Sequence, residues 1–211
     1  MSSITHHVPD AMLAAYAAGA LPQAFSTVVA THVSLCPECR AGMEAHHGAG
    51  GALLEDTPEA TVTQGTRDAV LALLDMPFVP EPVYERRGIY PGPVAELLKG
   101  QPPQWKTLGM GVRQSILSET RDGSVRLLSI PPGQAVPDHG HNGIEMTLVL
   151  QGSFTDETGR FAAGDLEVAD ETLEHTPVAD AGETCICLAA TDAPLRFRAL
   201  VPRLLQPIFR I

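Results

Sequence analysis

The sequence predicts an α+β chain of two domains, a small all-α zinc-binding unit followed by an all-β jelly-roll barrel. Three observations carry that prediction. Apolar residues recur at helical spacing up to about residue 76, then give way to short alternating runs past a proline-rich stretch. Each half holds its own histidine-centred cluster at ligand spacing. Hydrophobic residues make up 44% of the 211 residues, enough for two cores, and no apolar run reaches the length of a membrane span.

Pro9-Asp10 opens a first helix through Ala18, with Gly19 suited to its C-terminal cap. Pro22 opens a second, carrying Phe25, Val28, Val29 and His32 at helical spacing. A third runs from Cys39 to about Ala45, where Gly48-Ala49-Gly50-Gly51 is expected to interrupt it. The fourth, Arg67 to Met76, shows an apolar stripe of Val70, Leu71, Leu73 and Leu74. Such a stripe either packs the unit's own core or receives a partner. These helices set the first domain at residues 1–77.

Residues 78–105 read as an inter-domain linker. Prolines at 77, 80, 82, 91, 93, 102 and 103 break every period, leaving one short helical turn at Val94-Ala95-Glu96-Leu97-Leu98. The third segment, 106–211, changes period. Gln114–Leu117, Val125–Ile130, Glu145–Leu150 and Thr184–Ala189 alternate with Gly, Pro and Asp turns, as in a sandwich or barrel.

His32-x3-Cys36-x2-Cys39 places His32 and Cys36 one helical turn apart, and Pro37 breaks the turn so that Cys39 swings in from the next helix. With an upstream His7 this is a Cys2His2 set that suits structural zinc; His6 competes for the same role. Cys36-Pro37-Glu38-Cys39 alone could be a redox pair, but no βαβ context accompanies it. The second cluster is Gly133-x5-His139-x-His141-x3-Glu145-x6-Gly152, followed by Gly164-Asp165 and His175. On strands His139 and His141 share a face, and Glu145 returns to it after a bend. The pattern matches the first cupin motif at every fixed position. The ligand set His139, His141, Glu145 and His175 suits a second divalent metal, zinc or another transition metal. The alternative is a cupin fold whose histidines hold nothing.

Cys185 and Cys187, at i and i+2 on a strand, are a candidate redox pair or simply small core residues. Arg126, Arg196, Arg198 and Asp192 are scattered and read as solvated surface. Four cysteines in two tight pairs behind a polar start predict a reducing cytoplasm. The net charge of −11 disfavours free nucleic acid as a partner. Residues 1–77 carry Arg40 and Arg67 against eight acids, a net of −6, which suits a basic protein partner or a solvated acidic face.

The two motifs in this order resemble the ChrR family of cytoplasmic zinc-dependent anti-sigma factors over nearly the whole chain. Tyr16-Ala17-Ala18-Gly19, Gly133 to His141 and Cys185 to Asp192 are similar to that family too. The resemblance implies a regulator, not an enzyme. It implies a helical module that blocks an extracytoplasmic-function (group IV) sigma factor in a 1:1 complex. It also implies a cupin-like domain needed for release on exposure to singlet oxygen or organic hydroperoxide. The family's zinc ligands fall on His7, His32, Cys36 and Cys39, and its cupin ligands on His139, His141, Glu145 and His175. One departure is Phe161-Ala162-Ala163-Gly164-Asp165, with Ala162 where many cupins carry proline. The rival class is a cupin metalloenzyme, a dioxygenase or isomerase, with the helical unit as an arm; no further acid–base constellation accompanies the ligands.

Overall fold

The helices begin where prolines set the backbone. In a computed structural model, which describes residues 3–78 and 80–197, α1 (Asp10–Ala17) follows Pro9 and α2 (Gln23–Leu35) follows Pro22. Gly19, at φ +68°, takes the left-handed position that closes α1. Cys36 ends α2 and also caps α3 (Pro37–Glu55), its Sγ accepting from the Cys39 backbone N–H. The expected stop at the glycine cluster does not occur. Glycine costs a helix about 1 kcal/mol but keeps the N–H that proline lacks, so α3 runs on through Gly48, Gly50 and Gly51. Next come α4 (Gln64–Ala72), a single 3-10 turn at Leu73–Asp75, and α5 (Gly92–Leu97).

The β half forms antiparallel sheets stacked in jelly-roll fashion. The large sheet has six strands. They are β1 (Lys106–Gly109), β2 (Val112–Thr120), β3 (Gly123–Ile130), β5 (Glu145–Gln151), β8 (Leu166–Ala169) and β11 (Cys185–Thr191), ordered β1-β2-β3-β11-β5-β8. Opposite lie two three-stranded pieces. One joins β10 (Val178–Ala179), β6 (Ser153–Thr155) and β7 (Arg160–Ala162). The other joins β12 (Arg196–Phe197), β4 (His139–Gly140) and β9 (Glu174–His175).

One face of the large sheet is not solvated. Val125, Leu127, Met146, Leu148, Leu188 and Ala190 share a continuous core with Phe25, Val28 and Val29 of α2. Each of the Val, Leu, Met and Phe side chains contributes about 1.5–3 kcal/mol on full burial. The expected linker takes part: Val94 of α5 is fully buried in the same core. The core thus runs across both expected domain boundaries.

The stripe on the fourth helix behaves differently. Val70, Leu71, Leu73 and Leu74 are 57, 44, 62 and 78% exposed, so they do not pack the unit's own core. Leu53, Leu54, Met76 and Phe78 are exposed apolar residues as well, at 73, 73, 62 and 86%.

The N-terminal segment straps onto the β half. The backbone N–H groups of Thr5 and His6 donate to Asp165 Oδ1 at 2.7 and 2.9 Å, and Leu166 N–H donates to the His6 carbonyl at 3.1 Å. Gly164, at φ +99°, sits so close that a Cβ there would meet Ile4 at 2.6 Å. Ala162 explains the departure from the proline pattern: its N–H, which proline lacks, donates to Asp165 Oδ2 at 2.9 Å.

Candidate metal centres

The first cluster is assembled from three pieces of chain. His32 lies in the last turn of α2, Cys36 at the junction, Cys39 in the first turn of α3, and His7 arrives on the N-terminal strap. One ligand atom of each falls within 4.8 Å of all the others. His7 Nδ1 is 3.3 Å from Cys36 Sγ and 3.6 Å from Cys39 Sγ, and its Nε2 lies 3.4 Å from Glu38 Oε2. His6 is elsewhere, tilted against the Phe161 ring at 4.4 Å. Of the two histidines, His7 is therefore the one in the cluster.

Both ring nitrogens of His32 are buried without a hydrogen-bond partner. An orphaned imidazole inside a protein costs free energy unless a cation or donor completes it. Burial, with His7 nearby, lowers the His32 pKa to about 4, keeping the ring neutral as a ligand must be. Burial also pushes the Cys39 thiol up to about 11. A cation entering here would displace that proton and supply the missing charge.

The second cluster sits inside the β half. His139 on β4 pairs directly with His175 on β9, and His141 follows β4. His175 Nε2 is 3.2 Å from His139 Nε2 and 3.3 Å from His141 Nε2. Two Nδ1 atoms are engaged elsewhere: that of His139 on the Pro137 carbonyl at 2.9 Å, that of His175 on Asp156 Oδ2 at 2.7 Å. Those bonds leave Nε2 of His139 and of His175 facing one another beside His141, where a shared cation would take the place of the His175 proton. Glu145 stands on the other side of His141, with Oε2 3.4 Å from its Nδ1, and Oε1 accepts from Thr147 at 3.0 Å. Glu145 Oε2 and His141 Nδ1 are buried without a well-aligned hydrogen bond. The three imidazoles are thus brought together, with Glu145 beside them and outside the tightest group.

Sequence reasoning missed two carboxylates. Asp156 and Glu167 both meet His175 Nδ1, at 2.7 and 3.3 Å, and orient the ring. Burial raises Glu167 to about 7. Burial also opposes charge on His175, yet its bonds to Glu167 and Asp156 lift it to about 9 before any cation binds. The signal for Glu167 was a lone acid inside the apolar run Leu166-Glu167-Val168; Asp156 sits in a turn and carried none.

Arg126 is not surface: it is 6% exposed, inside the β half. Asp192 Oδ1 accepts from Ile144 N–H at 2.8 Å, and Arg196 pairs with Glu174 at 3.4 Å. Arg198 lies outside the described residues. Cys185 and Cys187 are both buried with their sulfurs 3.5 Å apart, and the mutual hydrogen bond, with burial, raises the Cys187 thiol well above its usual value.

Comparison with known proteins places this architecture. A domain described as the ChrR cupin-like domain matches residues 96–194. The anti-sigma-E factor ChrR of Cereibacter sphaeroides is 55% identical over 212 residues, spanning 99% of this chain and all of that protein. The chain belongs to the ChrR family. A crystal structure of the Rhodobacter sphaeroides ChrR in complex with SigE superposes with a TM-score of 0.80 at 54% identity. It covers 90% of this chain and all of the matched one. Among the described residues, no helix of this family member is long and apolar enough to cross a membrane.

Proposed function

We propose that this chain is a cytoplasmic anti-sigma factor. It binds one extracytoplasmic-function (group IV) sigma factor, keeps it from core RNA polymerase, and releases it on exposure to singlet oxygen or organic hydroperoxide. The observation that carries this reading is the solvent-facing apolar stripe of α4, on a chain 55% identical to an anti-sigma-E factor. A monomer leaves such a patch uncovered when a partner covers it. The acidic balance of residues 1–77, net −6, suits a basic partner surface.

Residues 1–77 act as the inhibitory unit and 106–211 as the sensing unit, with 78–105 between them. His7, His32, Cys36 and Cys39 hold a structural zinc; a Cys2His2 set fills all four positions and leaves none for substrate. His139, His141, His175 and Glu145 hold a second divalent metal, zinc or another transition metal, and Asp156 and Glu167 orient His175 toward it. The orphaned ring nitrogens of His32 and His141 and the orphaned Glu145 oxygen support both assignments. Release requires that the signal favour the sigma-free state over the bound one. The packing of α2 on the large sheet offers the physical route.

The deciding experiment co-expresses the chain with an extracytoplasmic-function sigma factor from the same genome. A 1:1 complex by light scattering, and loss of sigma-dependent transcription in vitro, are expected. A folded, zinc-loaded chain that leaves that transcription unchanged would overturn the proposal.

A further inference from the structure

The two metal clusters are joined by a short piece of chain. Residues 4–7 form the strap that ends at His7 of the first cluster, and the β half grips it at two places. One is the turn between β7 and β8. There Asp165 Oδ1 accepts the backbone N–H groups of Thr5 and His6 at 2.7 and 2.9 Å, and its Oδ2 accepts that of Ala162 at 2.9 Å. Leu166 N–H donates to the His6 carbonyl at 3.1 Å. Asp165 is 3% exposed, and a buried carboxylate bonded to several N–H donors is a firm anchor. The other place is the loop between β6 and β7 with the start of β7. The His6 ring leans on Phe161 at 4.4 Å, and its Nε2 comes within 3.9 Å of where a Cβ on Gly159 would stand.

Both segments that grip the strap also hold His175 of the second cluster. Asp156 opens the β6–β7 loop: its Oδ1 accepts the N–H groups of Thr158 and Gly159 at 2.8 and 3.1 Å, while its Oδ2 meets His175 Nδ1 at 2.7 Å. Glu167, two residues after Asp165, stands 3.3 Å from the same Nδ1.

The other end of the strap belongs to the first cluster. Adjacent Cα atoms are about 3.8 Å apart, so His7 cannot move independently of His6. His7 Nδ1 lies 3.3 and 3.6 Å from the Cys36 and Cys39 sulfurs. Of the four ligands it is the one that is not fully buried. His32 feels the same turn: after burial and His7, the groups that act on its ring are the Gly164 backbone and the Asp165 carboxylate.

We propose that residues 4–7 and Asp165 couple the two metal sites, so that ligation at His139, His141 and His175 strengthens ligation by His7 at the other. The coupling rests on the metal reading of both clusters given above. With His175 fixed by ligation, Asp156 and Glu167 are fixed with it, and so are the loop and turn that seat the strap. An empty second site loosens those segments and leaves His7 free to depart. By linkage the effect is reciprocal between the two affinities. The connection runs through the strap and not through the packing of α2 on the large sheet.

The test uses the full-length protein with cobalt(II) in both sites and its metal content measured. Thiolate-to-cobalt charge-transfer absorption arises where Cys36 and Cys39 ligate, and the second cluster offers no sulfur, so the band reports the first site alone. Its decay under excess chelator gives the rate of loss. His139→Ala, which disables the second site, should speed that decay about fivefold or more, the lower end of usual coupling between sites. Asp165→Ala should speed it too, and adding His139→Ala to that variant should change nothing further. Melting curves establish folding; if Asp165→Ala does not fold, His6→Ala, which removes the ring from Phe161 and keeps the strap backbone, takes its place. Equal decay in the parent and a folded His139→Ala protein overturns the coupling and leaves both metal assignments standing. So does a His139→Ala effect of full size in the Asp165→Ala background, which would carry the coupling past the strap. A parent that holds fewer than two ions per chain would instead overturn the metal reading, and the coupling with it.

Discussion

Two helices of this chain carry apolar stripes of similar period and meet opposite fates. In α2, Phe25, Val28 and Val29 are almost completely buried against the large sheet and the neighbouring helices. In α4 and the 3-10 turn that follows it, Val70, Leu71 and Leu74 remain in solvent. Periodicity reports that a helix has an apolar face; it does not report whether the cover is in the same chain. One stripe stabilises the fold; the other is the one proposed to receive the partner.

The comparison yields graded tests. The largest effect belongs to the site that holds α2 and α3 together. Cys36→Ala with Cys39→Ala should abolish zinc binding, which contributes about 10–16 kcal/mol in small zinc domains. Metal analysis and amide exchange would show loss of zinc and loosening of α1 to α3, with sigma affinity falling in step. Full zinc occupancy in that variant would break the ligand assignment.

Phe25→Ala should lower stability by about 3–5 kcal/mol, since the ring is 3% exposed and leaves a cavity between helix and sheet. Chemical denaturation reads that number directly. The matching change on the other helix, Leu71→Asp with Leu74→Asp, should leave stability within about 0.5 kcal/mol per site. It should weaken sigma binding by about 2 kcal/mol or more, roughly thirtyfold. If the two variants exchanged phenotypes, the assignment of the stripes would be wrong.

Asp165→Asn probes the strap that carries His7. Burial opposes charge on Asp165, but N–H donors from Ala162, Thr5 and His6 hold its pKa below the usual carboxylate range. A depressed folded pKa stabilises above the unfolded value of about 3.9, and that contribution is lost as pH falls through the lowered pKa. The variant should therefore cost about 1–3 kcal/mol at neutral pH. The gap from the parent should close below about pH 4. A gap independent of pH would show that the carboxylate charge is not what ties the strap.

The smallest change in the resting state is expected in the switch. Glu145→Ala and the double change Cys185→Ser, Cys187→Ser should both still repress. After oxidant, Glu145→Ala should fail to induce while the cysteine variant induces, because Cys187 is held protonated in the core. A reporter assay before and after oxidant separates them, and the opposite pattern would move the sensor to the cysteines.

Much of this molecule was legible in the chain. Pro9, Pro22 and Pro37 mark three helix starts because they pre-set φ, and both ligand clusters could be read because spacing on a helix or strand fixes which side chains share a face. Other features belong to distance across the chain. That Gly48, Gly50 and Gly51 stay helical, that Arg126 is interior, and that Asp156 and Glu167 orient His175 each depend on neighbours far off in sequence.

The sequence by itself determined the element types, the two candidate ligand sets and the family, all of which depend on local spacing and residue chemistry. Only the tertiary structure decided that His7 and not His6 joins the first cluster, since that choice turns on Asp165 gripping the Thr5 and His6 backbone. Only it decided which apolar stripe is covered. Burial is a property of what lies opposite a residue, and period along the chain carries no record of that.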